Sequence, residues 1–335
     1  MTNLACQLNV FLREYLPNER RSSLHTCESY AYTFQLLTTF AAKQLKTQPS
    51  KLTIEMLDVS LVVDFLNHLE TERGNSPRTR NARSAAIKAF FHFLEYRYVL
   101  CLEQSRRIHA IPMKKTDDKL IDYLTQPEMQ ALLDAPDPRT LAGIRDRAML
   151  HLCFAAGLRV SELVSLELNQ LELQDQPTIH VIGKGRRERI LPLWDETATA
   201  LSDWVNIRPI YIATSRLFLN AKGVGMTRSG FEYILSKHVK TALLRQPSLA
   251  KKHISPHSLR HSCAMHTLKA THDIRKVSLW LGHADLKSTE IYLRMDPSEK
   301  LATLMETAPP SLRRGKFKAP DKLLEMLKPK RYYVQ

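Results

Sequence analysis

The stretch Thr178-Ile-His-Val-Ile-Gly-Lys-Gly-Arg-Arg-Glu-Arg-Ile-Leu-Pro-Leu193 decides the fold class. Thr178 to Ile182 and Glu188 to Leu193 are rich in β-branched and apolar residues, and they flank Gly183-Lys-Gly-Arg-Arg187, a glycine-containing basic turn. Two such runs joined by a short turn predict an antiparallel hairpin, because branched side chains suit a pleated surface and glycine admits the backbone angles a tight turn needs. Elsewhere the apolar residues recur at three and four positions, the period of a helix. The expected fold class is therefore mainly α with a small antiparallel β-sheet (α+β).

Working outward toward the N-terminus, Leu4 to about Tyr98 reads only as helices, with apolar periodicity in Cys27 to Leu45 and Leu61 to Leu69. Ser76-Pro77 is an N-cap and first-turn pair, followed by the apolar stripe Ala82, Ala85, Ala86, Ala89, Phe90, Phe93 and Leu94. The opposite side carries Arg78, Arg80, Arg83 and Lys88. A solvated face explains these four cations as well as a track for phosphates does.

From about Glu103 to Thr125 the pattern becomes polar and charged with no apolar period, which predicts a linker over 104–124 after a first domain at 1–103. Thr125-Gln-Pro-Glu128 reads as a capping box that opens a second domain, 125–308. Helices are expected near 126–134 and 140–156, with Gly157 as a C-cap, and another from Ser255-Pro256 through Lys269. Pro309-Pro310 ends any helix, leaving 309–335 as a basic tail with Arg313, Arg314, Lys316 and Lys318 among its cations.

The whole chain has 335 residues, enough for about two domains. It carries 49 Lys and Arg against 34 Asp and Glu, a formal charge of +15. That excess predicts a polyanionic partner, since binding releases counterions. No apolar run reaches the ~20 residues of a membrane span, so nucleic acid is favoured over a membrane surface. The cysteines Cys6, Cys27, Cys101, Cys153 and Cys263 are odd in number and form no Cys-x-x-Cys pair, which predicts reduced thiols without a disulfide framework.

Four segments carry candidate chemistry: Ala156-Gly-Leu-Arg-Val-Ser-Glu-Leu163, Gly183-Lys-Gly185, Pro256-His-Ser-Leu-Arg-His261, and Leu281-Gly-His283 with Tyr292 nine residues later. Each has a bland reading. Arg159 can pair with Glu162, Lys184 can be a solvated turn charge, and Tyr292 can be a packed core tyrosine. His257 and His261 stand four apart as two metal ligands would, but the intervening Arg260 repels a cation, so no metal is expected there.

As an ordered set the four segments resemble the tyrosine recombinase (phage integrase) family, in its XerC/XerD-like form. The resemblance spans essentially the whole chain and includes the neighbours in Gly-Leu-Arg-Val-Ser-Glu-Leu and Leu-Gly-His-Ala-Asp. It implies a helical core-binding (SAM-like) domain that grips DNA, then a catalytic domain whose functional residues are Arg159, Lys184, His257, Arg260, His283 and Tyr292. Where such proteins usually carry a glycine after the His-x-x-Arg helix, this chain reads Lys269-Ala-Thr-His-Asp273, which puts the geometry of that loop in question.

The chemistry suits those residues. A phenol is a nucleophile that leaves more readily than an alkoxide, so a phosphotyrosine keeps the phosphodiester energy without ATP. Two guanidiniums replace a metal at the phosphate. The resemblance implies that His257 accepts the tyrosine proton, Lys184 protonates the departing 5′-oxygen and His283 donates to the phosphate. It also implies a site-specific DNA recombinase with no cofactor or metal. Such an enzyme acts as a homo-tetramer on double-stranded recombination sites, alone or with other recombinases, in the bacterial cytoplasm at the nucleoid. Integration, excision or transposition of a mobile element is the expected setting; a catalytically inactive DNA-binding protein of the same fold is the alternative.

Overall fold

The computed structural model describes residues 3–117, 121–183, 187–209, 214–283 and 285–295, in two units, Met1–Asp118 and Lys119–Gln335. Side-chain oxygens start the helices of the first unit. Asn3 caps α1 (Leu4–Val10), which widens into a π-helical turn over Phe11–Glu19, where Pro17 cannot donate a backbone hydrogen bond. Ser23 caps α2 (Leu24–Gln44), Asp58 caps α3 (Val59–Thr71), and Ser76 caps α4 (Pro77–Glu95) by accepting from the Thr79 amide.

These helices meet over an aromatic core. The Phe11 ring centroid lies 5.3 Å from those of both Phe90 and Phe93 and 6.0 Å from that of Phe34, and all four rings are buried. Cutting one such ring to alanine costs about 3–5 kcal/mol, so the stripe read along α4 is what holds the unit together.

Two expectations are corrected here. The stretch predicted as a linker begins with a helix, α5 (Leu102–His109), whose Ile108 is buried together with Ile111 just beyond it. With only Leu102 and Ile108 apolar, eight residues carry too little period to read; tertiary hydrogen bonds hold the helix instead. Gln104 Nε2 donates to the carbonyls of Ile54 and Leu57, and Ser105 Oγ to that of Phe91.

The cations of α4 are also not a free face. Arg80 is buried, donates to the Pro112 carbonyl and lies 3.7 Å from Glu70; Lys88 caps the chain end of α5 through the His109 and Ile111 carbonyls. Arg83 donates to Ser29 and Thr33, which leaves Arg78 as the exposed member of the four. A helix packed on two neighbours has little surface free of partners, and long side chains reach the nearest carbonyls.

In the second unit the capping box at Thr125 opens α6 (Gln126–Leu133), and α7 (Leu141–Ala155) follows from Thr140. A short α8 (Val160–Ser165) leads to β1 (Leu171–Glu172), β2 (Thr178–Ile182) and β3 (Glu188–Pro192), an antiparallel sheet in the order β1-β2-β3. The register pairs Ile179 with Leu191 and Val181 with Arg189, and the Gly183 amide donates to the Arg187 carbonyl to close the hairpin. The mainly helical α+β class with a small sheet is thus what the chain adopts.

The sheet is followed by α9 (Asp195–Ile207), α10 (Arg228–Leu243), α11 (Pro256–Thr271), α12 (Ile274–Leu281) and α13 (Glu290–Met295). α11 is buried along most of its length, with Leu259, Cys263, Ala264, Met265 and Leu268 in the core. The expected basic tail lies outside the described residues. Among the described residues no helix is long and apolar enough to cross a membrane.

Candidate active site

Two glycines let the backbone turn where charged side chains must converge. Gly157 follows α7 with φ +56°, and a Cβ there would stand 2.6 Å from Leu281 Cδ2. Gly282 follows α12 with φ +63°, against the Arg189 side chain. Both need the left-handed region that glycine enters without strain. They account physically for the Gly-Leu-Arg and Leu-Gly-His pairs. Each turn delivers its next functional residue, Arg159 and His283, to one side of α11.

Arg260 rises from that helix and is buried. Its guanidinium donates to the Gly157 carbonyl and, at 2.7 Å, to the Leu281 carbonyl, so the two glycine turns also aim the arginine. Burial and the nearby Arg159 charge push Arg260 down to about 10, which leaves it charged at neutral pH.

The partner of this positive charge is Glu162, nearly fully buried. It accepts from the Arg159 side chain at 2.8 Å, from the Arg159 amide at 3.0 Å and from Arg189 at 2.8 Å, and it lies 3.9 Å from Arg260. Burial raises its pKa, but the hydrogen bonds and charges of Arg189 and Arg159 outweigh that and hold it below the usual carboxylate range. The bland reading of Arg159 as a partner of Glu162 therefore holds as far as it goes. One carboxylate beneath three arginines leaves an excess of positive charge, the requirement of a phosphate site.

Tyr292, on α13, is buried, and burial pushes its phenol up to about 12. The charges of Arg260 and Arg159 reach the hydroxyl and partly offset that effect. The hydroxyl shares a 2.9 Å hydrogen bond with His261 Nδ1, and not with His257. His257 sits one turn earlier on α11, exposed overall, yet partial desolvation of its ring and then the charges of Arg228, Arg260 and Arg159 lower its pKa. Its expected place as the hydroxyl's partner is thus taken by His261, because α11 turns that ring, and not the exposed one, toward α13.

His283 Nδ1 lies 2.7 Å from Thr289 Oγ1. If that hydroxyl donates, the other ring nitrogen carries the proton and can donate in turn. Burial, then Arg260 and Arg159, push His283 down to about 4, so the ring is neutral at physiological pH.

Lys184 lies outside the described residues. The five other expected residues, Arg159, His257, Arg260, His283 and Tyr292, come together within the second unit. Sequence reasoning passed over Arg189, and weighed Glu162 only as an ion-pair partner of Arg159 and His261 only as a metal ligand. The alternation of β3 held a signal for Arg189, which shares the inward face with buried Leu191.

Comparison with known proteins agrees with this geometry. Residues 122–299 match the phage integrase family and residues 9–97 match the phage integrase N-terminal SAM-like domain. The chain belongs to the phage integrase family, the tyrosine recombinases, which are site-specific DNA recombinases. It is 38% identical, over 97% of its length and 98% of the relative's, to y4rC of Sinorhizobium fredii (strain NBRC 101917 / NGR234), named as a candidate integrase/recombinase. It is 33% identical to tyrosine recombinase XerC of Pelobacter propionicus (strain DSM 2379 / NBRC 103807 / OttBd1), over 93% of this chain and 98% of that one. In fold it is similar to XerH recombinase bound to a palindromic difH substrate, with TM-score 0.66 and 23% identity over 88% of this chain and 84% of that one.

Proposed function

We propose that this recombinase cleaves and rejoins DNA through a 3′-phosphotyrosine on Tyr292, with Arg159, Lys184, His257, Arg260 and His283 as the other catalytic residues. The observation that carries the reading is the meeting of Tyr292 and His283 with the charges of Arg260 and Arg159, four residues from separate elements, with the Glu162 carboxylate beside the two arginines.

The step balances without a cofactor. The Tyr292 oxygen bonds to phosphorus as the 5′-oxygen leaves, and the phenolic proton passes to a histidine while Lys184 gives a proton to the departing oxygen. Arg159 and Arg260 hold the non-bridging oxygens, where negative charge grows, and His283 donates to them. His257, exposed beside these arginines, completes the phosphate side. Return of a 5′-hydroxyl from another duplex reverses the step and exchanges strands.

Recombination sites in double-stranded DNA are the substrate in this reading, bound by four protomers in the cytoplasm at the nucleoid. The net charge of +15 supports the DNA partner. A groove of about 840 Å³ in the second unit, lined by Met129, Leu133, Phe154, Trp194 and Trp280, supports assembly, since it has room for a neighbour's segment. A mobile element is the proposed setting; sequencing the DNA on either side of the gene tests it, since flanking inverted repeats would support it and a lone gene without them would count against it.

The test is incubation with nicked DNA carrying candidate sites in EDTA, followed by a denaturing gel. A covalent adduct that is lost in Tyr292→Phe establishes the phosphotyrosine. No adduct on sites that the protein binds returns the chain to the inactive DNA-binding reading.

A further inference from the structure

In the first unit, His92, Glu95 and His109 place one potential ligand atom each within 4.8 Å of one another. His92 and Glu95 stand three apart in the last turn of α4, so they share one face, and His109 is the last residue of α5. Glu95 Oε2 lies 2.8 Å from His92 Nδ1, and its Oε1 lies 3.0 Å from His109 Nε2. The imidazole centroids are 6.2 Å apart, with planes at 78°. Ligands bound at ~2.0–2.2 Å in a tetrahedral site stand roughly 3.3 Å apart, so side-chain adjustments of well under a turn admit an ion.

Three features separate this cluster from an ordinary ion pair. Two helix C-termini converge on it, and the negative ends of their dipoles favour a cation. His109 Nε2 is a buried atom that makes no hydrogen bond, although a Glu95 carboxylate oxygen is 3.0 Å away. Finally, the backbone of His109 is held by Lys88 Nζ, which donates to its carbonyl at 2.9 Å, so the ligand set is positioned by groups that are not themselves ligands.

We propose that His92, Glu95 and His109 form a divalent transition-metal site of the zinc class, joining the C-terminal ends of α4 and α5, with water filling the remaining positions. Two imidazoles and one carboxylate are a borderline donor set that suits Zn²⁺, Co²⁺ or Ni²⁺ over Mg²⁺ or Ca²⁺. The three ligands belong to the first unit and the proposed strand-transfer residues to the second, with no residue shared, so either reading can fail without the other.

The full-length protein, stripped with chelator and then dialysed free of it, is titrated calorimetrically with ZnCl₂. One equivalent is expected to bind with micromolar or tighter affinity, to raise the melting temperature of the first unit, and to give visible d–d bands when Co²⁺ replaces Zn²⁺. His92→Ala, whose ring is largely exposed, and Glu95→Gln are each expected to weaken binding at least tenfold with unchanged circular dichroism. His25→Ala, which breaks an exposed two-residue pair with Glu28, is expected to leave it unchanged. Absence of saturable binding, or equal affinity in the His92→Ala and Glu95→Gln proteins, overturns the proposal.

Discussion

The Tyr292 hydroxyl and His261 Nδ1 are joined by a 2.9 Å hydrogen bond, between two side chains 31 positions apart in the chain. Burial, then the His257 and Arg260 charges, push the His261 pKa down to about 4, so the ring is neutral and has one nitrogen able to accept a hydrogen bond. Loss of a positioned base typically slows a step by about 10²–10⁴-fold. His261→Leu is therefore expected to slow adduct formation on nicked DNA by roughly 100-fold, while His261→Asn, which keeps an acceptor near Nδ1, restores most of it. Equal rates in wild type and His261→Leu would show that this bond matters only in the absence of DNA.

Among the described residues Glu162 is the one carboxylate paired with Arg159 and Arg189 and close to Arg260. Removing one partner of a buried charge cluster leaves the others uncompensated, at a cost of about 3–5 kcal/mol. Glu162→Gln should fall near the lower end of that range in urea unfolding of the second unit, since the amide keeps some hydrogen bonds. Adduct formation should drop more than tenfold as the arginines separate. A stability change under 1 kcal/mol would mean that the arginines find other partners.

His272 ends α11 with φ 49°, the left-handed cap position where this chain lacks the expected glycine. A side chain there costs about 1–2 kcal/mol relative to glycine. His272→Gly is thus expected to stabilise the second unit by about 1 kcal/mol, read as a higher melting temperature, without change in adduct rate. The doubt about loop geometry resolves this way: the helix stops as a glycine would stop it, with strain in place of freedom.

Gly157→Ala tests the opposite case. Its Cβ would meet Leu281 at 2.6 Å and Cys263 Sγ at 3.1 Å, in addition to left-handed strain. Overpacking adds about 1–3 kcal/mol to the backbone penalty, and the shifted carbonyl would release Arg260. Both thermal stability and adduct yield should fall, whereas a wild-type melt would show that the α7–α12 contact yields easily.

His151, His261 and His283 are all pushed down to about 4, chiefly by burial. Between about pH 4 and the unperturbed value near ~6.5 the unfolded chain binds more protons than the folded one, so stability rises with pH across that window. The contribution is complete above it and is lost as pH falls toward 4. Melting of the DNA-free protein from pH 8 to 4 should be flat at first and then decline below about 6.5. A flat profile to pH 4 would mean that these rings are protonated without penalty in the folded state.

Much of the fold was legible because it rests on local rules. Ser76-Pro77 and Thr125-Gln-Pro-Glu128 start helices through their own side chains and amides, and the alternating runs around Gly183-Lys-Gly-Arg-Arg187 can pair only as a hairpin. α5 was not legible, since its order comes from Gln104, Ser105 and Ile108 reaching distant partners. Nor was the burial of Arg80 and the capping role of Lys88, which periodicity places on an outer face.

At the site, the ordered motifs were enough to suggest, through their resemblance to the tyrosine recombinases, that two arginines, a lysine, two histidines and a tyrosine belong to one candidate site. Only the tertiary structure decided that Glu162 gathers Arg159, Arg189 and Arg260, and that His261, not His257, lies within hydrogen-bond distance of the Tyr292 hydroxyl. The physical reason is range. Capping, turns and helical period act within a few residues, whereas which ring of α11 meets α13, and which carboxylate neutralises three guanidiniums, depends on segments up to about 100 residues apart being packed together.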